Sequence, residues 1–179
     1  MEFRDLKKQY EVLKPEMDAA IRQVLMDANY ISGRQVAELE AALAKYVGVK
    51  HCITCANGTD ALTLALMVLG IGENDAVFVP DFTFFSSAET VAYEGATPVF
   101  TDILEDTFNM DPDSLERAIQ AVLKEGKLTP KAIVTVDLFG LPADYQRIRQ
   151  IAEKYGLYIL EDAAQGFGGV YHGKYAGSF

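Results

Sequence analysis

The sequence predicts an α/β domain: a mostly parallel sheet sandwiched by helices. Three observations carry this. From residue 50 onward, strand-like runs at 50–55, 75–79, 97–101, 131–137 and 157–161 alternate with helical stretches at 59–69, 84–94, 112–124 and 143–155, the pattern of repeated β-α units. The strand runs are apolar almost throughout, as suits strands buried on both faces. Half of the 179 residues are hydrophobic and 23% are charged, a globular and not a disordered balance.

Before residue 50 the pattern is helical. PEMDAAIRQVLMDA at 15–28 has apolar residues at helical spacing with a proline near its start. The loop NYISGR follows, and QVAELEAALAKYV at 35–47 reads as a second amphipathic helix ended by Gly48. The chain therefore divides into an N-terminal helical segment, 1–48, and a larger domain, 49–179. KEGKLTPK at 124–131 is polar enough for a surface loop. Residues 171–175, around His172 and Gly173, read as a short hairpin. A parallel sheet that stops at Phe179 has an open edge, so the reading expects the N-terminal part of a longer polypeptide.

Composition removes several function classes. Sixteen basic against 26 acidic residues give a net charge of −10, which argues against nucleic acid as a partner. No apolar run approaches the roughly 20 residues of a membrane span, and the charged N-terminus has no signal-peptide core, so a cytoplasmic location is the default. Cys52 and Cys55 form a C-x-x-C. A zinc site would need a second ligand pair, which the sequence lacks; the pair reads as two small apolar residues, and no metal is expected.

Three segments carry chemistry. CANGTDALTLAL at 55–66 passes from a strand-like run through Asn57 and Gly58 into a helix. Gly58 lets backbone approach a ligand closely. The first helical turn offers free N–H groups and the positive end of the dipole to a phosphate, and Thr59 adds a hydroxyl. The plain alternative is a helix start capped by Asn57 or Thr59. VPDFTFFSSAET at 79–90 carries Phe82, Phe84 and Phe85. A ring over the sheet's mouth can stack on a flat ligand. Phe82 and Phe85 are expected in the core, while Phe84 is divided between the two roles. In LYILEDAAQ at 157–165, Asp162 ends a buried strand where open α/β sheets bind ligands. A carboxylate there can keep the ring nitrogen of a cofactor such as pyridoxal phosphate protonated, and Gln165 can donate to a ring oxygen. The alternative is that Glu161-Asp162 caps the next turn.

These residues, together with FRDLKKQ at 3–9, YISG at 30–33, ANGTDAL at 56–62, PDFTFFSSAET at 80–90 and LEDAAQGFG at 160–168, resemble the DegT-type sugar-nucleotide aminotransferases. Those enzymes have the type I, aspartate aminotransferase-like fold and use pyridoxal 5'-phosphate. The resemblance implies that Gly58 and Thr59 hold the cofactor phosphate and Phe84 stacks on its ring. Asp162 pairs with the ring nitrogen and Gln165 with the ring hydroxyl oxygen. Tyr30, Ser32 and Gly33 belong to a loop on the substrate side, close to a partner in a homodimer. In such proteins a serine and the Schiff-base lysine follow GSF, so both fall beyond Phe179. These 179 residues alone are then expected not to transaminate and not to include the small C-terminal domain of such enzymes.

The implied reaction moves an amino group from a donor such as glutamate to a keto group of a nucleotide-linked sugar. The motifs look most like members acting on 3-keto sugars for surface polysaccharides. A sugar dehydratase with histidine in place of lysine, and a non-catalytic regulator on the same scaffold, stay open. A nicotinamide-binding Rossmann domain lacks its glycine fingerprint here.

Overall fold

A computed structural model describes residues 5–179; Phe3 and Arg4 of the FRDLKKQ motif lie outside that range. Helix α1 (Leu6–Asp27) starts at Asp5, whose carboxylate accepts the Lys8 amide at 2.9 Å. It begins nine residues before the predicted start, with Pro15 inside it. The strong helix formers of Leu6–Lys14 carry the helix through the proline. Helix α2 (Arg34–Val47) follows Gly33 and ends on Gly48 in the left-handed region. A Cβ at Gly33 would stand 2.7 Å from the Asn29 carbonyl oxygen, so the turn between the helices requires glycine.

The strand expected at 50–55 is absent; the backbone there is irregular. A strand exists through the ladder it joins, and none of the sheet's strands runs beside this segment. It is tied instead to α2: the Thr54 amide and hydroxyl both donate to Glu40 Oε1 at 2.8 Å. Ile53 is left 85% exposed.

The remaining elements follow the predicted alternation: α3 (Gly58–Val68), β1 (Asp75–Pro80), α4 (Ser86–Tyr93), β2 (Thr97–Thr101), α5 (Pro112–Glu125), β3 (Thr129–Val136), α6 (Tyr145–Tyr155) and β4 (Tyr158–Asp162). The four strands form one sheet, ordered β2-β1-β3-β4, with every pairing parallel. The polar segment 124–131 is less of a loop than expected, since β3 already begins at Thr129. Pro130 cannot donate to the ladder, and the β1–β3 register shifts beside it, between Ala76 and Val77. The predicted hairpin is present as β5 (Val170–Tyr171) and β6 (Lys174–Tyr175).

Side chains alternate across the sheet, and both faces are buried. Val77, Val79, Ala132 and Val134 pack with Leu66 of α3 and Val91 of α4. Phe78 and Ile133 pack on the other face with Leu115 and Ile119 of α5 and Ile148 of α6. This alternation decides which residues at the strand ends share a face.

Candidate functional site

The carboxyl end of β4 carries two acids on opposite faces. Leu160 belongs to the α3/α4 cluster and Ile159 to the α5/α6 cluster. By alternation Asp162 faces α3 and α4, and Glu161 faces α6. Asp162 accepts the Ala164 amide at 3.1 Å and lies within reach of the Ser87 hydroxyl, itself fully buried on α4. Burial pushes its pKa up; the charge of Asp137 adds to this, and the Ala164 amide and Ser87 hydroxyl oppose it.

Helix α3 leads through a short turn into β1 and packs against α4 and β4. It therefore runs back along the sheet, and its first turn lies at the rim where β4 ends. Asn57 caps it, accepting the Asp60 amide at 2.8 Å through its side chain and the Ala61 amide at 3.1 Å through its carbonyl. Among the described residues nothing accepts from the amides of Gly58 and Thr59. A Cβ at Gly58 would meet nothing within 4 Å. Two free amides, an open approach and a helix dipole are together suited to an anion.

Phe84 stands in the loop between β1 and α4 at the same rim, 71% exposed. Phe82 and Phe85, expected in the core, are 50% and 71% exposed. The loop carries them past the edge of the sheet, where neither helical layer covers them. Phe82 rests instead on Phe108, ring centroids 5.7 Å apart, and Phe108 meets Phe139 edge-on at 5.9 Å. Both Phe108 and Phe139 have left-handed backbone, φ +59° and +56°, a strained state for an aromatic residue.

Gln165 Oε1 accepts the Phe139 amide at 2.8 Å. That bond sets the orientation of the side-chain amide and leaves its NH2 group without an acceptor among the described residues. Tyr30, Ser32 and Gly33 are not drawn to this rim. The Tyr30 hydroxyl donates to the Leu25 carbonyl at 3.5 Å, and the residue borders a groove between α1 and α2 with Ile21, Val24 and Arg34. A separate cavity of about 390 Å³, between α6 and the hairpin, includes Arg149, His172 and Lys174 and lies on the opposite face from Asp162.

Sequence reasoning missed Asp137, which follows β3 and is completely buried. Its Oδ1 accepts the Tyr145 hydroxyl at 2.7 Å and the Ala143 amide at 3.1 Å. The signal was present: VTVD at 134–137 ends an apolar strand in an acid, as LYILED does. Glu161 was grouped with Asp162 as a cap, but the alternation of the strand separates their roles. Asp137, Glu161 and Asp162 thus crowd the ends of β3 and β4, and no salt bridge among the described residues reaches any of them. A rim with an anion cradle on one helix and the Asp162 carboxylate at the end of a strand on the same face fits a ligand with a phosphate at one end and a cationic nitrogen at the other. Pyridoxal 5'-phosphate has that form.

Comparison with known proteins gives a consistent result. The chain is 50% identical over 176 residues to the UDP-2-acetamido-2-deoxy-3-oxo-D-glucuronate aminotransferase of Pseudomonas aeruginosa, covering 97% of this chain and 46% of that protein. It superposes with a TM-score of 0.92, at 54% identity, on a DegT DnrJ EryC1 StrS aminotransferase from Brucella abortus, covering 94% of this chain and 45% of the other. The sugar aminotransferase Spr1654 of Streptococcus pneumoniae, described as putative and solved in its PLP form, matches with a TM-score of 0.78 at 33% identity, over 90% of this chain and 44% of that one. The chain thus spans less than half the length of these relatives. The model of the DegT/DnrJ/EryC1/StrS aminotransferase family matches residues 11–179, and the chain belongs to that family.

Proposed function

We propose that this chain is the cofactor-holding part of a pyridoxal-phosphate-dependent aminotransferase. The enzyme transfers an amino group, with glutamate as donor, to the 3-keto group of a nucleotide-linked sugar. The observation that carries the reading is Asp162: a half-buried carboxylate without a cationic partner among the described residues, on the sheet face that α3 and α4 cover. The 3-oxo sugar in the name of the P. aeruginosa relative supports the choice of substrate class. When bound, the cofactor supplies an electron sink for the carbon that loses or gains the amine.

The residues of this chain divide the work of holding such a group. Gly58 and Thr59 donate their free amides to the phosphate, and the Thr59 hydroxyl adds a third donor. Asp162 holds a proton on the ring nitrogen; that cation in turn reverses the upward push on the carboxylate's own pKa. Gln165, fixed through Oε1, presents its NH2 group to the ring oxygen. Phe84, exposed beside the cradle, covers one face of the ring. The exposed apolar side chains of α1, among them Val12, Ile21 and Leu25, favour a homodimer. Tyr30 and Ser32 then serve the substrate side from that surface and not from the rim.

The test uses the full-length protein with a uridine diphosphate-linked 3-keto acetamido sugar, glutamate, and the 4-keto isomer as competitor. Amine transfer to the 3-keto sugar is expected, with Asp162→Ala reducing the rate by orders of magnitude. A loss below tenfold, about 1.4 kcal/mol, removes Asp162 from its assigned role. Preference for the 4-keto isomer overturns the substrate class alone.

A further inference from the structure

Behind the rim, on the α6 face of the sheet, lie two acids that the mechanism above does not use. Asp137 Oδ1 is fully engaged by Tyr145 and Ala143, but its Oδ2 is buried with no hydrogen-bond partner among the described residues. Gly166 seals it: a Cβ there would stand 2.9 Å from Oδ2 and 2.8 Å from Asp137 Cβ. Ala176, only 2% exposed, closes the same side. Strand alternation places the Glu161 side chain on the same sheet face, next along the adjacent strand, where Thr135 and Glu161 are register partners, and the two carboxyls influence one another's ionisation. Both Glu161 oxygens are already occupied as acceptors, Oε1 from the Gly177 amide and Oε2 from the Phe179 amide at 2.8 Å. Two ionised carboxylates cannot bond one another. An orphaned buried oxygen beside a second carboxyl is explained when a proton lies between them.

We propose that Asp137 and Glu161 share one proton as a carboxylic acid–carboxylate pair, and that this pair is a positioning device. It locks the 177–179 backbone to the end of β4, directly behind Asp162. The proton supplies the donor that Asp137 Oδ2 lacks and halves the negative charge beneath Asp162. Glu161 remains free to accept both amides, because a protonated carboxyl oxygen keeps a lone pair. Among the described residues, the surroundings supply no group that replaces the proton. The groups facing the pair are the Thr135 and Tyr145 hydroxyls, the Ala143, Gly177 and Phe179 amides and, across the sheet, the carboxylate of Asp162. No lysine, arginine or histidine forms an ion pair with either acid among the described residues. In agreement, burial raises Glu161 to about 7, with the charge of Asp137 adding to it, and burial also raises Asp137.

The sharing of the proton does not depend on the cofactor reading; only the consequence for Asp162 rests on it. The sign of the pH effect is fixed. A carboxyl raised in the folded state stabilises below its unfolded value and loses that contribution as pH rises through the folded value. Wild-type full-length protein should therefore become easier to unfold between pH 5.5 and 8. The increase in the urea unfolding constant should be roughly tenfold once solvent screening of the half-buried Glu161 is allowed for.

Asp137→Asn is the decisive variant. Its side-chain carbonyl can keep the Tyr145 and Ala143 bonds, and its NH2 group donates to an ionised Glu161. The variant should fold, weaken the pH dependence across that window, and lower the Glu161 midpoint, although burial still raises it. Carbon-13 NMR of labelled glutamate carboxyls reads that midpoint directly, in wild type and variant. A wild-type Glu161 that titrates as an ordinary carboxylate would overturn the proposal, even if the variant failed to fold. So would an Asp137→Asn protein that keeps the wild-type pH dependence. Failure of the sugar assay above, with the Glu161 midpoint still near 7, would sink the enzyme reading and leave the shared proton standing.

Discussion

Gly58→Ala separates the cradle from the fold more cleanly than any other change. A Cβ at this position meets nothing within 4 Å, and Gly58 is not among the residues with positive φ. Alanine thus fits without strain, and the unfolded chain loses freedom. The variant should be as stable as the parent or more stable, by about 0.4–1 kcal/mol. The open space is useful only if a ligand fills it. A methyl group that displaces the phosphate from one amide removes a charge-assisted hydrogen bond, worth about 1.5–3 kcal/mol. That corresponds to a roughly 10- to 150-fold rise in Kd.

The assay is titration of the apo full-length protein with pyridoxamine phosphate, which is held without a covalent bond, so affinity reports the contacts alone. Thermal unfolding without ligand gives the stability in parallel. Weak binding with unchanged or raised stability is the expected pair of results. Affinity within twofold of wild type would show that the phosphate does not lie against Gly58. Equal losses in stability and affinity would show that the glycine serves the helix start and not the ligand.

Two further outcomes follow from the same geometry. Phe84→Leu should weaken pyridoxamine phosphate binding by roughly two- to tenfold, the worth of one stacked ring. Because the ring is 71% exposed, the melting temperature should scarcely change; a large drop would assign Phe84 to packing. Gly166→Ala forces a methyl to 2.8 Å from Asp137 Cβ and 3.2 Å from Ala176 Cβ. It should cost about 1–3 kcal/mol by overpacking, read as a lower urea midpoint, and a variant as stable as wild type would contradict the close approach.

What the sequence made legible follows from where each signal originates. β1 and β3 could be read because burial on both faces makes their apolar runs continuous, and α5 could be read because Asp111 and Pro112 open it and Gly126 closes it. The 50–55 run could not, because Cys-Ile-Thr-Cys has strand propensity but a strand also needs a neighbour. Phe82 and Phe85 misled for a related reason: aromatic residues after a buried strand suggest core, yet the loop places them beyond the covered part of the sheet. At the proposed site, Asp162 and Gly58 are singled out by local chemistry alone. Asp137 was not singled out, because its role depends on Glu161, 24 positions along the chain, and only the register of β3 against β4 reveals it.

On the proposed reading, the arrangement also accounts for a phosphorylated ligand on a chain of net charge −10. Charges farther away than roughly 8 Å are largely screened at physiological ionic strength, so the overall balance matters less than the dipoles at the rim. There the polarity is divided. The first turn of α3 presents amides and the positive end of a helix, whereas the end of β4 presents the Asp162 carboxylate, with Asp137 and Glu161 on the face behind it. A free phosphate satisfies only the first end and a free amine only the second. A molecule with an anion at one end and a protonated heteroaromatic nitrogen at the other satisfies both, and each end strengthens the case for the other. On this view Asp162 discriminates as well as binds, and the proton held between Asp137 and Glu161 keeps the negative charge behind it low enough for the sheet to bury.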